Sequence, residues 1–300
     1  SVLRTDGLDA ASRVANASGA KLLAETFPAR LERGAGIPGV DRLAYLAEFA
    51  QAQMDGLRHM IVVDAKAPVS FFAYPNKASY LVPDGCEVHV LAGASDDGVA
   101  ALAALADELG APADGATPAA ASRPDRPTGD LTAETVCAAL GALLPEGAIV
   151  SDEGNTSGLW APMFTAGAPA HDWLCLTGGA IGQGLPVATG AAIACPDRPV
   201  ICLESDGSSL YTIQSLWTMA REGLDVTTVL LNNRSYAVLN MELNRVGAEA
   251  GGPKAKEMLD LHRPDMDFVS IATGLGVPAT RATTAEEFTT QLERAIATPG

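Results

Sequence analysis

The sequence has few basic residues. It contains 20 lysines and arginines against 36 aspartates and glutamates, and its formal net charge is −16. A chain with this charge repels polyanions, so nucleic acids and anionic membrane surfaces are not expected as partners. Any phosphate group that the protein binds must therefore be held locally, by backbone N–H groups or through a metal ion.

Paired cysteines and long apolar runs are also missing. The five cysteines are scattered, and no two of them form a Cys-x-x-Cys motif. Their odd number and wide spacing predict reduced, mostly buried thiols and a cytoplasmic location. No stretch approaches the roughly 18 apolar residues of a membrane span, and no signal peptide is visible. The sequence therefore predicts neither a membrane protein nor a disulfide-bonded secreted one.

The composition is that of a packed protein with two domains. Apolar residues make up 48% of the 300 residues and charged residues 19%, so a folded core is expected. A stretch rich in Ala, Pro, Gly, Ser and Thr has no apolar period and is typical of a linker. It divides the chain into a first domain over residues 1–112, a linker over 113–129 and a second domain over 130–300.

Short apolar runs alternate with segments of helical period in both domains. Such alternation indicates the α/β class with parallel sheets, and we expect two three-layer domains. In the first domain the strands are predicted at 21–26, 59–65 and 87–92, and the helices at 42–57 and 96–110, the last capped by Ser95. In the second domain the strands are predicted at 147–154, 173–177, 199–207 and 226–233, and the helices at 132–144, 185–195, 208–223, 266–276 and 283–297.

Three polar turns follow predicted strands of the second domain, at 151–158, 204–209 and 232–237. Ligands of open parallel sheets bind at the carboxyl ends of the strands, so these turns are expected to meet at one edge. Asp206 and Asn233 then offer side-chain oxygens, and Ser235 offers a backbone carbonyl. Oxygen donors with few carboxylates suit Mg²⁺ or Ca²⁺. The Gly207-Ser208 pair opens a predicted helix, whose N-terminus favours an anion.

Asp206-Gly207, followed one helix and one strand later by Asn232-Asn233, resembles the signature of thiamine-diphosphate-dependent enzymes. The resemblance covers nearly the whole chain and is strongest to the branch of acetolactate synthase large subunits and benzoylformate decarboxylases. It implies a diphosphate-binding domain after the linker and a six-stranded central domain before it. It also implies thiamine diphosphate and Mg²⁺ as cofactors.

The resemblance assigns roles to particular residues. Asp206, Asn233 and the Ser235 carbonyl match the metal ligands. The matching cofactor-binding positions are Gly154, Asn155, Gly179, Ala180, Ile181, Gly207, Ser208 and Tyr236. Val238 and Glu242, which lie four residues apart on one helix, match positions that face the substrate. For Ile181 and Val238, ordinary core packing explains an apolar residue equally well.

The sequence departs from the family pattern in two ways. Ser205 and Arg234 stand where the family often has glycine, so the Arg234 side chain must point away from the metal. The family's catalytic glutamate comes from a separate pyrimidine-binding domain, and no segment here resembles that domain. Neither Glu25 nor Glu153 lies in a segment that resembles the pyrimidine-binding domain. The catalytic residue is therefore unassigned, and this chain alone is expected to be inactive.

The predicted activity is decarboxylation or carboligation of 2-oxo acids, of the acetolactate synthase kind. Two alternatives are a benzoylformate-type decarboxylase and a non-catalytic subunit that keeps the fold. A nicotinamide-dependent dehydrogenase is disfavoured, since no Gly-x-Gly-x-x-Gly motif has the required context. The resemblance further implies dimers or tetramers, while FAD has no support in the sequence. Both ends of the chain are expected to be cut.

Two further features remain open at this level. Residues 244–258 are expected to form either a mobile segment that closes over the cofactor or a plain solvent loop. The four histidines have no ligand spacing and are interpreted as structural or surface residues, with a minor alternative of a substrate role for His171. Their positions are His59, His89, His171 and His262.

Overall fold

The computed structural model describes residues 2–248 and 252–300. The chain forms two compact units, one over residues 1–32 and 36–119, the other over 33–35 and 120–300. The boundary at residues 119 and 120 lies within the linker predicted from the sequence. Among the described residues, no helix has both the length and the apolar character needed to cross a membrane.

The first unit combines three helices, among its described residues, with short parallel strands. β1 (Leu23–Ala24) pairs with β3 (Asp41–Arg42), and β4 (His59–Val63) pairs with β5 (Glu87–Ala92), both in parallel. These four strands thus pair two by two, and the described strands of this unit do not form the six-stranded sheet that the family resemblance implied. The elements are α1 (Thr5–Ser18), β1 (Leu23–Ala24), β2 (Leu31–Arg33, divided by the unit boundary), β3 (Asp41–Arg42), α2 (Ala47–Met54), β4 (His59–Val63), β5 (Glu87–Ala92) and α3 (Gly98–Glu108).

Sequence periodicity did not reveal α1, which depends on tertiary contacts. Its residue Val14 packs with Ala106 of α3 and with Ala111. The residue before the helix, Arg4, caps no helical N–H with its side chain. Instead the Glu32 carboxylate accepts hydrogen bonds from Thr5 N at 2.7 Å, Thr5 Oγ1 at 2.6 Å and Arg4 Nε at 2.9 Å. A distant carboxylate therefore satisfies the helix N-terminus.

Glu32 makes the stability of α1 depend on pH. Burial opposes its ionisation, but the bonds from Thr5 and Arg4 lower the pKa of Glu32 from 4.5 to about 2. The stabilisation is present above pH 4.5 and is lost as the pH falls through about 2. We expect Glu32→Gln to speed hydrogen exchange in α1 at neutral pH, by a local free-energy loss of about 1–2 kcal/mol. The exposed Glu108→Gln is the control, and an effect that grows on acidification would contradict this account.

The second unit contains nine helices among its described residues, and one parallel sheet. Two short 3₁₀ turns, Asn155–Gly158 and Thr177–Gly179, follow its first two strands. The strands are β6 (Ile149–Glu153), β7 (His171–Leu174), β8 (Val200–Ser205) and β9 (Val226–Leu231). The helices are α4 (Ala133–Leu143), α5 (Ala161–Phe164), α6 (Gly184–Ala194), α7 (Asp206–Ser209), α8 (Ser215–Glu222), α9 (Ala237–Arg245), α10 (Pro253–Met258), α11 (Phe268–Gly274) and α12 (Ala285–Ile296).

Four strands of this unit lie in the order β7-β6-β8-β9, and every adjacent pair among them is parallel. All six residues of β8 are buried, as expected for a strand with neighbours on both sides and helices on its faces. Its core includes Val200 and Cys202 packed with Leu185 and Ala188 of α6. The α/β class with parallel sheets, predicted from the alternating pattern, is confirmed.

Some helix ends differ from prediction for local reasons. The helix predicted at 208–223 is two helices, because the residues between α7 and α8 form turns and Thr212 Oγ1 donates to Gly182 O at 2.8 Å. Asp97, and not Ser95, caps α3 by accepting from Ala100 N. The segment 244–258 contains α10, while its residues 249–251 lie outside the described residues.

Candidate functional site

The register of the sheet brings the three polar turns of the second unit to one edge. Glu153 of β6 lies opposite Glu204 of β8, and Ser205 lies opposite Leu231 of β9. β6, β8 and β9 end within one residue of these paired positions. Gly154, Asp206 and Asn232 therefore follow their strands at the same edge of the sheet. The predicted convergence at the carboxyl edge is present in the structure.

Asp206 is the buried acid at the centre of this edge. It is 1% exposed, and its carboxylate accepts Gly207 N at 2.8 Å and Arg234 N at 2.6 Å. The second bond places the carboxylate beside the Asn233–Arg234 peptide, at the end of the neighbouring strand. Burial raises the pKa of Asp206 although these N–H groups favour its ionised form. A bound cation would stabilise the charged carboxylate there, so the residue suits a metal ion.

The loop after β9 turns sharply at Arg234, which has a left-handed φ of 61°. Asn232 Oδ1 accepts Arg234 N at 3.2 Å, and Asn233 Oδ1 accepts Ser235 N at 3.0 Å. These side chains stabilise a turn whose left-handed conformation at Arg234 is one that glycine adopts more easily than other residues. The Arg234 guanidinium pairs with Asp265 at the surface, in agreement with the expectation that it points away from the metal position.

The turn after β6 contacts the turn after β8. Asn155, with a φ of 45°, donates from Nδ2 to Ser208 Oγ at 2.8 Å and to Ser205 Oγ at 3.3 Å. Gly207 faces Tyr236, since a Cβ at this position would lie 2.5 Å from Tyr236 Cε1. Only glycine therefore allows the tyrosine ring to pack here. The predicted positions Gly154, Asn155, Gly207, Ser208 and Tyr236 are thus brought into one cluster.

One element of the anion-binding prediction needs correction. The helix that starts at this turn, α7, begins at Asp206 and has only four residues. The macrodipole of so short a helix is small, so it adds little attraction for an anion. Any diphosphate would depend on individual N–H and hydroxyl groups and on a metal ion.

The turn after β7 carries Gly179, Ala180 and Ile181. Gly178 and Gly179 have left-handed φ angles of 65° and 67°, and the Gly179 carbonyl accepts Ile181 N at 3.0 Å. The Ile181 side chain is 45% exposed, so it is not a core residue. Core packing, the alternative left open by the sequence, is therefore wrong for Ile181.

Glu153 anchors this turn to the sheet, a role that sequence reasoning missed. Its Oε1 accepts Gly182 N at 2.6 Å, and its Oε2 accepts Gly184 N at 2.5 Å. The side chain is 1% exposed. A signal existed, because an acidic residue at the buried end of an apolar strand needs partners. The identity of those partners depends on how the turn folds back over β6.

Glu204 is a second buried carboxyl beside Glu153. A Cβ at Gly184 would lie 2.4 Å from Glu204 Oε2 and 2.8 Å from Glu153 Cβ, so both side chains crowd this glycine. Burial and then the Glu153 charge raise the pKa of Glu204 to about 9. Glu204 therefore favours its neutral form, whereas the two N–H bonds that Glu153 accepts favour the charged form of Glu153.

The remaining predicted residues are less constrained. Val238 and Glu242 are half-buried on α9, and Glu242 Oε2 lies 3.9 Å from Arg245 Nε. His171 stands at the start of β7, at the edge opposite the turns, and its Nδ1 contacts Pro169 O at 2.7 Å. Burial lowers the pKa of His171 to about 4. Its position agrees with the structural interpretation and disfavours a substrate role.

Comparison with known proteins places this geometry in a family. Residues 152–300 match the family described as thiamine pyrophosphate enzyme, C-terminal TPP binding domain. A Mycobacterium tuberculosis protein that carries the name of an acetolactate synthase large subunit is 62% identical over 301 residues, which cover 99% of this chain. Residues 152–300 belong to the thiamine-diphosphate-dependent enzyme family.

Other members of the thiamine-diphosphate-dependent family are also similar to this chain. A benzoylformate decarboxylase of Pseudomonas aeruginosa is 34% identical over 170 residues, or 56% of this chain and 31% of its own length. The structure of a thiamine diphosphate-dependent 4-hydroxybenzoylformate decarboxylase of Rhodococcus jostii RHA1 matches 99% of this chain with a TM-score of 0.75 and 25% identity. The chain spans 58% of the mycobacterial relative and 57% of that decarboxylase chain.

Proposed function

We propose that the second unit binds Mg²⁺ and the diphosphate of thiamine diphosphate at the carboxyl edge of β6, β8 and β9. The supporting observation is the 2.6 Å bond between Arg234 N and the buried Asp206 carboxylate. This bond joins the Asp206 carboxylate to the loop after β9, which carries Asn233 and Ser235, the other two donors of the proposed set. The family match over residues 152–300 supports the choice of cofactor.

In this proposal the Asp206 carboxylate, the Asn233 side-chain oxygen and the Ser235 carbonyl hold Mg²⁺. All three are hard oxygen donors, and Mg²⁺ keeps further positions for phosphate oxygens and water. Only one donor carries a charge, which suits a metal that also binds a charged diphosphate. Asn155 and Ser208 supply hydrogen-bonding groups beside it, the Gly207 N–H holds the Asp206 carboxylate, and Tyr236 closes the side next to Gly207.

The turn after β7 would support the rings of the cofactor. The Gly179 carbonyl already accepts Ile181 N and keeps a second lone pair for the cofactor's amino group. The exposed Ile181 side chain offers an apolar surface against which the rings can bend. Ala180 lies between them, and Glu153 fixes the position of the whole turn through Gly182 and Gly184.

For the whole protein we propose acetolactate synthase-like decarboxylation and carboligation of 2-oxo acids. When bound, thiamine diphosphate supplies the electron sink that allows a 2-oxo acid to lose carbon dioxide. Val238 and Glu242 on α9 would face the substrate. The acid that activates the cofactor is proposed to come from another domain, so this chain alone would be inactive. Assembly into dimers or tetramers and a cytoplasmic location stay predictions, and FAD remains without support.

A benzoylformate-type decarboxylase is the second candidate. The likeness to the Rhodococcus decarboxylase favours it, because this match extends over 99% of the chain and includes both units. The two activities differ in the step after the loss of carbon dioxide: protonation gives an aldehyde, whereas addition to a second carbonyl gives an acetolactate-type product. Incubating the complete protein with pyruvate or benzoylformate and identifying the products distinguishes them.

The cofactor proposal is tested by calorimetric titration of thiamine diphosphate into the chain with and without Mg²⁺. We expect binding that requires the metal ion. The net charge of the chain is −16, so the protein offers no excess positive charge of its own to neutralise the diphosphate. Mg²⁺ pyrophosphate should compete, because the proposed contacts of this unit are mainly to the diphosphate. Binding that is equally tight without a metal ion would contradict the assigned site.

A further inference from the structure

An exposed face of the first unit carries three side chains that suit a metal ion. His59 lies on β4, and Glu87 and His89 lie on β5. The three ligand atoms, His59 Nδ1, Glu87 Oε2 and His89 Nε2, all lie within 4.8 Å of one another. We propose that His59, Glu87 and His89 form a binding site for a divalent transition-metal ion, with Zn²⁺ as the best-suited ion.

The parallel register of the two strands creates this cluster. His59 lies directly opposite Glu87, and His89 lies opposite Ile61, two residues further along. Side chains two residues apart on a strand share one face, so all three point to the same side of the pair. Diagonal neighbours on a sheet are within reach of long side chains, so His89 can meet His59. The cluster therefore depends on the backbone pairing.

The distances agree with coordination of one small ion. His59 Nδ1 lies 3.3 Å from His89 Nε2, and each nitrogen lies 3.8 Å from Glu87 Oε2. Tetrahedral Zn²⁺ has bonds of about 2.0–2.2 Å, which separates its ligand atoms by about 3.3–3.5 Å. The two nitrogens already have this separation. A movement of a few tenths of an ångström by the Glu87 side chain would bring its oxygen to a similar distance.

The donor types select the class of metal. Two imidazole nitrogens and one carboxylate form a donor set of catalytic and surface zinc sites, and imidazole also suits Cu²⁺, Ni²⁺ and Co²⁺. Mg²⁺ and Ca²⁺ prefer oxygen donors, so they are poor occupants. All three side chains are more than half exposed, which leaves a fourth position open to water or another ligand. The site thus differs in chemistry from the oxygen site proposed at Asp206.

The test is calorimetric titration of Zn²⁺ into the chain with saturating Mg²⁺ present. We expect one Zn²⁺ per chain at this site, and at least a tenfold weaker affinity in His59→Ala/His89→Ala. This is a lower bound, since loss of even an outer partner of a metal ligand costs about 10–100-fold. Glu87→Gln should weaken binding as well, because a neutral amide replaces the carboxylate.

Two control variants separate this site from other donors. His262→Ala removes an exposed histidine outside the cluster, and Cys86→Ser removes the thiol next to Glu87; both should bind Zn²⁺ like the wild type. Co²⁺ gives a second readout, since its visible spectrum in the wild type should show nitrogen and oxygen ligands without a thiolate band. Circular dichroism checks that each variant is folded.

Three results would overturn the proposal. The first is Zn²⁺ affinity in the double histidine variant equal to that of the wild type. The second is loss of binding in Cys86→Ser, which would assign the ion to a thiol. The third is a wild-type chain that binds no Zn²⁺, in which case His59 and His89 form only a hydrogen-bonded pair.

Discussion

Asp206→Asn is expected to weaken the Mg²⁺-dependent binding of thiamine diphosphate by at least about a hundredfold, since even outer-shell changes at metal sites cost about 10–100-fold. The substitution removes the only charged metal donor of the proposed set. It also removes one of the two N–H bonds that come from Gly207 and Arg234, because an amide nitrogen cannot accept a hydrogen bond. Calorimetric titration of the cofactor with Mg²⁺ measures the loss directly.

Asp197→Asn is the matched control for this experiment. Asp197 is exposed and precedes β8, so it lies at the opposite end of the same strand. The substitution makes the same change of charge and should leave cofactor affinity unchanged. If Asp206→Asn bound the cofactor as tightly as Asp197→Asn, the metal assignment would be wrong. Circular dichroism of both variants shows whether the fold is retained.

Glu153→Gln is expected to lower the free energy of unfolding of the second unit by about 1–3 kcal/mol, the usual cost of a buried donor left without a partner. A glutamine can accept only one of the two N–H bonds that now come from Gly182 and Gly184. Its amide group would face the other N–H donor. Urea unfolding followed by tryptophan fluorescence measures the change, since Trp160, Trp173 and Trp217 all belong to this unit.

The same variant should bind thiamine diphosphate more weakly under conditions where it is fully folded. The turn that carries Gly179 and Ile181 would no longer be fixed to β6, so its contacts with the cofactor rings would be less well ordered. Glu146→Gln, at an exposed position before β6, is the control for both measurements. Unchanged stability together with unchanged affinity in Glu153→Gln would show that the turn holds its position without this carboxylate.

Much of the second unit could be predicted because its signals are local. β8 begins with the apolar run Val200–Leu203, β9 ends with Val229–Leu231, and each strand leads into a polar turn. Parallel strands connected by helices place their carboxyl ends at the same edge of the sheet. Asp206 and Asn233 could therefore be predicted to lie at one edge. The structure adds the distances, and it corrects the helix after Asp206, which is too short to contribute a strong dipole.

The residues that were missed depend on pairings between distant segments. Glu153 meets glycines about thirty positions away, on a turn whose path no local pattern describes. Helix α1 contains glycine and many polar residues, and it is stabilised by packing on α3 and by Glu32. The histidines on β4 and β5 had no ligand spacing along the chain, because the strand register and not the sequence interval brings them together.

The sequence by itself determined the α/β class, the two-part organisation and the position of Asp206 and Asn233 at the carboxyl edge of the sheet in the second unit. Alternating periodicity and polar turns at strand ends are properties of residues that are neighbours in the sequence. They can therefore be recognised without the three-dimensional structure. Only the tertiary structure decided which carboxylate holds the turn beside Ile181, and which side chains share an exposed face in the first unit. Those contacts depend on register and loop closure, where a shift of one residue exchanges one set of partners for another.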